Sequence, residues 1–183
     1  MIRPWKLLSA NLVFAAPPWV HVYQETLELP AGRVVDDFYR VVLPDFAAIV
    51  AVTDEGQLVM VRGYKHGLRQ VVLSVPAGLV DPGEAPLQAA QRELLEETGY
   101  TAAEWRDLGR FVVDGNRQCG TMHTFLAHGA RWTRARRRDD AEELEVALLT
   151  RERAVQAIRD GEIPHLATAA AVALAAMVGP DPV

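Results

Sequence analysis

The sequence predicts an α/β sandwich in which helices pack on a mixed β-sheet. Strand-like segments come first, one helical segment follows, more strands come next, and two helical segments end the chain. The almost wholly apolar run from Phe46 to Val52 is typical of a buried strand. The segment from Pro86 to Thr98 has apolar residues at helical spacing, with Pro86 suited to its first turn and Gly99 to its end.

The other elements are predicted from apolar alternation and turn residues. Two β-rich runs, Val20 to Leu29 and Val34 to Leu43, flank a turn and predict a β-hairpin or meander. We therefore divide the chain into an N-terminal β extension, 1–43, and a main domain, 44–183. In that domain we expect strands at Gln57 to Tyr64, Val71 to Val75, Asp107 to Asp114, Thr121 to His128 and Glu143 to Leu149, and helices near Arg151 to Asp160 and Pro164 to Val178.

Composition is that of one soluble enzyme domain. The chain has 183 residues, is half hydrophobic and carries a net charge of -5, which argues against a general nucleic-acid binder. Cys119 is the only cysteine, so no intramolecular disulfide forms and a reducing cytoplasm is expected. The apolar stretch from Leu166 to Val178 is too short to span a bilayer, and prolines interrupt the apolar N-terminus, so we expect neither a membrane anchor nor a signal peptide.

Charge is densest between Arg92 and Glu97, where three carboxylates and one guanidinium fall within six residues. On a helix, Glu93 lies one turn from Glu96 and Glu97, so the carboxylates crowd one edge and repel each other. A bound cation would relieve this repulsion, and an all-oxygen site suits Mg2+ or Mn2+. The alternative is a solvated helix face with ordinary intrahelical salt bridges.

The residues around this cluster follow a fixed spacing. Five residues separate Gly78 from Glu84, seven separate Glu84 from Arg92, and the run Arg92 to Tyr100 reads R-E-L-x-E-E-x-G-Y. This pattern resembles the Nudix box, G-x5-E-x7-R-E-U-x-E-E-x-G-U with U apolar, and every specified position is filled. The turn residues before the helix, Pro76, Gly78 and 81–83, predict a loop that arches over the helix start.

The resemblance implies a Nudix α/β/α fold and an enzyme that hydrolyses the diphosphate of a nucleoside diphosphate derivative with divalent cations, Mg2+ or alternatively Mn2+. It implies that Glu93 and Glu97 are the central metal ligands, that Glu96 adds a third carboxylate, and that the carbonyl of Ala77 adds an oxygen. Arg92 would orient a glutamate.

Two further acidic positions have open roles. Glu84 is expected to be an outer or structural member of the cluster. Nudix enzymes often take another acid from a loop beyond the box, and the acidic run from Asp139 to Val146 is the candidate here. Within it, Glu142 is our choice for the general base or an extra ligand, and the alternative is a surface acidic turn. The arginine-rich run before it, Arg131 to Arg138, is interpreted mainly as a solvated loop.

The layout of the whole chain is most similar to the ADP-ribose and nucleotide-sugar pyrophosphatase branch. That branch typically uses its N-terminal extension to build a homodimer and to contact substrate. The expected substrate-binding residues are Phe38, Tyr39, Arg40, Arg62, Arg69 and Arg117. Each has a simpler alternative, because such aromatic residues often lie in a core and single arginines on strands are often solvated.

Two departures bear on specificity. Ser74 stands where the ADP-ribose group commonly has a glutamate, and Gly115 lies at about the position of a common proline, so a broader nucleoside diphosphate sugar pyrophosphatase is equally consistent. A nucleoside triphosphate pyrophosphohydrolase shares the box but is usually a shorter monomer without the extension. A non-catalytic Nudix-like nucleotide-binding module typically lacks box glutamates, and none is missing here.

Overall fold

The computed structural model describes residues 1–135 and 143–178. Its strands are β1 (Lys6–Ala16), β2 (Val20–Glu28), β3 (Val34–Val42), β4 (Phe46–Thr53), β5 (Leu58–Lys65), β6 (Gln70–Ser74), β7 (Ala77–Leu79), β8 (Tyr100–Thr101), β9 (Glu104–Asp114), β10 (Gln118–Trp132) and β11 (Leu144–Leu149). Its helices are α1 (Pro86–Thr98), α2 (Arg151–Arg159) and α3 (Leu166–Met177). None of these helices combines the length and the hydropathy that a membrane span requires.

The chain divides into two units. The first contains Met1–Asp45 and Phe111–Thr121, and the second contains Phe46–Arg110 and the described residues from Met122 onward. In the first unit β1, β2 and β3 form an antiparallel meander, and Val41 of β3 pairs with Gln118 at the start of β10. The strands β2 and β3 confirm the predicted hairpin. The division into 1–43 and 44–183 stays a prediction.

The second unit contains a mixed sheet. Strand β4 runs parallel to β10, with Met122 opposite Phe46, and antiparallel to β5 and β7. Strand β5 in turn pairs antiparallel with β6 and β11. The buried residues of β4 confirm that its apolar run is a core strand.

Helices cover both faces of this sheet. Because strand side chains alternate between faces, Ala47 and Ile49 pack in one core cluster with Leu94 of α1, whereas Ala48 and Val50 pack in the other. That second cluster takes its helical members from α2 and α3: Ala154, Ala157, Ala171, Val172 and Ala175. The predicted α/β/α sandwich is therefore confirmed within this unit.

Helix α1 has the ends that its sequence predicts. Pro86 follows the N-cap residue Ala85, whose backbone N–H donates to the side chain of Gln88 at 3.2 Å. Gly99 ends the helix in a left-handed conformation with φ 77°, and its N–H donates to Leu95. From its helical spacing with Ala90 and Leu94, Leu87 is predicted to join the buried face of α1; this is wrong, since it is 38% exposed. Ala89 and Ala90, the small residues of the next turn, are fully buried instead.

Among the differences between the predicted and observed strands, three concern β1, β7 and β10. The sequence does not predict strand β1, because the prolines near it and its lack of polar alternation hide it. Strand β7 lies where a loop is expected, because Ala77 and Gly78 pair with the edge of β4. Strand β10 begins at Gln118 and so takes in half of the expected loop 115–120. In each case pairing with a neighbouring strand overrides local turn signals.

Candidate active site

Strand β7 and helix α1 bring together two of the predicted metal-site residues, Ala77 and Glu97. The backbone N–H of Ala77 donates to Oε2 of Glu97 at 3.0 Å. Glu97 is only 7% exposed, so this carboxylate is held on the buried side of its helix. The same peptide segment carries the Ala77 carbonyl. The predicted backbone ligand therefore belongs to the same residue whose N–H contacts the predicted central glutamate.

Gly78 brings Glu93 against the same short strand. A Cβ atom built on Gly78 would lie 2.0 Å from the carboxyl carbon of Glu93 and 2.1 Å from its Oε1 atom. The carboxylate of Glu93 therefore occupies space that any other residue at position 78 would fill with its side chain. This close approach gives a physical reason for glycine at the first position of the motif.

Arg92 joins the other carboxylates. Its Nε and Nη2 atoms donate to the two oxygens of Glu84 at 3.0 and 2.9 Å, and Nη1 donates to Glu93 at 2.6 Å. Nη1 also donates to Glu96 at 3.3 Å, and Nη2 reaches the carbonyl of Leu79 at 2.9 Å. The bidentate pair expected of Arg92 is therefore present, and its carboxylate is Glu84.

The Arg92–Glu84 pair keeps both of its charges at neutral pH. The hydrogen bonds from Arg92 lower the pKa of the Glu84 carboxyl below its ordinary value of 4.5. The same hydrogen bonds raise the pKa of Arg92 further above neutrality. The site thus combines one guanidinium with the four carboxylates of the motif, and negative charge predominates.

The residues of this site fit a hard divalent cation. Carboxylate and carbonyl oxygens are the donors that Mg2+ and Mn2+ prefer, and Glu93 approaches the β7 backbone with no side chain between them. Within residues 1–135 and 143–178, no three His, Cys, Asp or Glu side chains already converge as a ligand group. Arg92 contacts Oε1 of Glu93 and Oε2 of Glu96, and because a carboxylate has two oxygens, each group can ligate a cation while it keeps its contact with the guanidinium.

The peptide segment before β7 is fixed by hydrogen bonds from other elements. The N–H of Val75 donates to the hydroxyl of Thr168 on α3 at 3.3 Å. The carbonyl of Pro76 accepts from the N–H of Ile49 on β4 at 2.9 Å. Nothing in the sequence marks Thr168, because it is separated from Val75 by 93 positions and belongs to no motif.

Four predicted substrate-binding residues lie in the first unit. Arg40 makes internal contacts there: Nε donates to Glu25 at 2.6 Å, Nη1 donates to Gln118 at 2.9 Å, and the guanidinium lies 4.7 Å from the ring centroid of Tyr23. Phe38 makes an edge-to-face contact with a tryptophan ring, whereas Tyr39 and Arg117 are exposed. Arg40 thus has a clear structural role, and substrate contacts by these four residues stay a prediction.

The remaining predicted substrate-binding residues, Arg62 and Arg69, lie in the second unit. Arg62 lies 3.7 Å from Glu162 and is partly exposed. Arg69 lies in the turn between β5 and β6 with φ 54°, a left-handed conformation. Glu142 falls outside the described residues.

Comparison with known proteins gives an independent view of this chain. The family model described as NUDIX domain matches residues 43–169. An ADP-ribose pyrophosphatase of Bacillus subtilis (strain 168) is 34% identical over 91% of this chain and 90% of its own length. A methanol dehydrogenase activator of Bacillus methanolicus is 31% identical over 84% of this chain and 83% of its own. The crystal structure of an ADP compounds hydrolase superposes with a TM-score of 0.82 at 23% identity, covering 97% of this chain and 95% of that one.

Proposed function

The chain belongs to the Nudix family, and from this we propose that it hydrolyses the diphosphate linkage of ADP-ribose or a nucleotide sugar, releasing a nucleoside monophosphate and a sugar phosphate. The observation that carries the proposal is the Ala77–Glu97 contact, because through it one carboxylate of the motif meets the backbone of β7. The full-length similarity to an ADP-ribose pyrophosphatase supports the choice of substrate class.

We assign the metal site to Glu93, Glu96, Glu97 and the Ala77 carbonyl, with Mg2+ as the expected ion and Mn2+ as its substitute. When bound there, a divalent cation neutralises phosphate charge and makes a water molecule more acidic. The protein's own contribution is to hold its ligands: β7 positions Glu97 through a backbone N–H, and Arg92 restrains Glu93 and Glu96. Arg92 and Glu84 together support the site from outside the ligand set.

Glu142 is our candidate for the general base. The proposal rests on its place in the acidic run that follows β10. The test is Glu142→Gln, for which we expect a lower kcat with unchanged metal binding. Unchanged kinetics would remove Glu142 from the mechanism.

The decisive experiment for the reaction is a substrate panel. The purified chain is incubated with Mg2+ and ADP-ribose, GDP-mannose, UDP-glucose, NADH or nucleoside triphosphates, and the products are identified. We expect a nucleoside monophosphate and a sugar phosphate from ADP-ribose or a nucleotide sugar, and no turnover after Mg2+ is chelated. Release of pyrophosphate from triphosphates alone would favour a triphosphate pyrophosphohydrolase. Nucleotide binding without any turnover would favour a non-catalytic module.

We also propose that the first unit mediates homodimerisation. Strand β1 is exposed at ten of its eleven positions. Its exposed apolar residues include Leu7, Leu8, Leu12, Val13 and Phe14. An exposed apolar strand of this length is typical of a protein interface, and the sequence resemblance implies a second copy as the partner.

Light scattering of the eluting protein tests this assignment. We expect a dimer for the wild-type chain and a monomer for Leu12→Glu, because a charge on β1 would have to be buried in the interface. Leu68→Glu is the matched control, since Leu68 is an exposed apolar residue outside β1, in the turn after β5. A wild-type monomer would exclude this role for β1.

A further inference from the structure

Thr168 is a buried polar residue with an unusual position beside the segment that leads into β7. Its side chain belongs to α3 and is almost fully buried, at 1% exposure. Its hydroxyl accepts a hydrogen bond from the N–H of Val75 at 3.3 Å. Val75 precedes Ala77, the proposed backbone metal ligand, by two residues. A side chain on α3 thus contacts the backbone that carries the proposed site.

His165 lies beside this hydroxyl. Its Nε2 atom is 3.4 Å from Oγ1 of Thr168. Burial lowers the pKa of His165, which favours the neutral ring. In the neutral tautomer that carries its proton on Nδ1, the unprotonated Nε2 can accept the Thr168 proton. The Thr168 oxygen then keeps its lone pairs for Val75.

Three consecutive residues are therefore anchored by three different elements. Val75 is held by Thr168 of α3, the Pro76 carbonyl by the N–H of Ile49 on β4, and the Ala77 N–H by Glu97 of α1. We propose that Thr168 is a positioning residue, whose hydroxyl fixes the backbone that presents the Ala77 carbonyl to the metal and the Ala77 N–H to Glu97. The inference rests on the proposed function, because Thr168 acts only through the Ala77 carbonyl and the Ala77 N–H.

The chain provides a matched control in Thr124. This residue of β10 is also fully buried, with 0% exposure, and its hydroxyl has no hydrogen-bond partner among the described residues. Replacing either threonine with valine keeps the side-chain shape and removes a hydroxyl. Only the change at position 168 removes a bond to the segment before β7. Thr168→Ser keeps the hydroxyl and serves as the rescue variant.

The test combines kinetics with a metal-binding measurement that needs no substrate. For Thr168→Val we expect kcat with ADP-ribose to fall by about tenfold or more while KM changes by less than about twofold, because small displacements of catalytic groups act on the chemical step. We also expect weaker Mn2+ binding, measured by titration without nucleotide. Thr168→Ser and Thr124→Val should both stay within about threefold of wild type in kcat and in Mn2+ affinity.

Each outcome decides the proposal. Equal behaviour of Thr168→Val and Thr124→Val in kcat and Mn2+ affinity would overturn it, and so would failure of Thr168→Ser to restore either quantity. If the wild-type chain does not cleave ADP-ribose, the proposed substrate fails, and Mn2+ affinity alone still tests Thr168. If Thr168→Val does not fold, Thr168→Ala against Thr124→Ala gives the same comparison, with thermal unfolding measured for every variant.

Discussion

Arg92 and Glu84 form a two-point hydrogen bond in which Nε and Nη2 of the guanidinium meet the two carboxylate oxygens at 3.0 and 2.9 Å. Glu84 lies before α1 and Arg92 lies within it, so the pair fixes the approach of the chain to the helix. Because Nε and Nη2 donate to Glu84, the orientation of the guanidinium is fixed, and its Nη1 atom donates to Glu93 and Glu96. The planar guanidinium thus transmits the position of one carboxylate to two others.

Replacing Arg92 with lysine should impair turnover, because an ammonium group keeps the charge but cannot make the two-point contact. We expect kcat to fall by about tenfold or more for Arg92→Lys, with a small change in thermal unfolding temperature. Arg131→Lys is the matched control, since Arg131 contacts Asp54 at 2.8 Å on the surface with 74% of its side chain exposed. Equal turnover in the two variants would show that Arg92 acts only through its charge.

The same pair makes stability depend on pH. Because hydrogen bonds from Arg92 lower the pKa of Glu84 below 4.5, the folded chain binds fewer protons at this group than the unfolded chain. The pair therefore contributes stability above the unfolded pKa, and this is lost as the pH falls through the folded pKa. We expect the difference in unfolding free energy between wild type and Glu84→Gln, from urea titrations, to be largest at neutral pH.

A double mutant isolates this effect. In an Arg92→Met background, Glu84→Gln should change the pH dependence of unfolding much less, because the main cause of the lowered Glu84 pKa is gone and only the hydrogen bond from the Asp81 N–H, at 3.1 Å, remains. If Glu84→Gln changes the pH dependence in that background as much as it does in the wild-type chain, a group other than Arg92 is responsible for it.

Much of α1 and its surroundings follows from the sequence because the responsible forces are local. Helical spacing of Ala90 and Leu94 predicts the buried face, and Gly99 predicts the helix end. A guanidinium beside three carboxylates in the sequence predicts that Arg92 orients a glutamate. In contrast, the pairing of β7 with β4 depends on partners distant in sequence, so local turn residues there indicate a loop.

Contacts between elements distant in sequence explain what the sequence does not predict about single residues. Nothing near Thr168 indicates that its hydroxyl meets Val75, because helix packing alone creates this contact. The substrate role of Arg40 stays a prediction, but its contacts with Glu25 and Gln118 could not be predicted, because these partners come from other strands. Single-residue roles of this kind require the register of the strands, which a sequence pattern does not determine.

Glu97→Gln should fold normally and lose most activity. The glutamine side chain has a similar volume and keeps an oxygen that can accept from the Ala77 N–H, so the contact now measured at 3.0 Å can persist. It lacks the negative charge that a metal ligand supplies, and we expect kcat to fall by at least about a hundredfold. Glu55→Gln, in the exposed turn after β4, is the control and should retain activity. Retained Mg2+-dependent turnover in Glu97→Gln would refute the site assignment.

Gly78→Ala separates the packing of the site from the stability of the fold. An added Cβ would lie 2.0 Å from the Glu93 carboxyl carbon, and that carboxylate is the end of a flexible side chain that can move aside. We therefore expect a small change in unfolding temperature together with a fall in kcat of about tenfold or more, because Glu93 leaves its position beside β7. Gly67→Ala is the control, because a Cβ there meets nothing within 4 Å. If Gly78→Ala keeps full activity, the observed position of Glu93 against β7 is not the one used in catalysis.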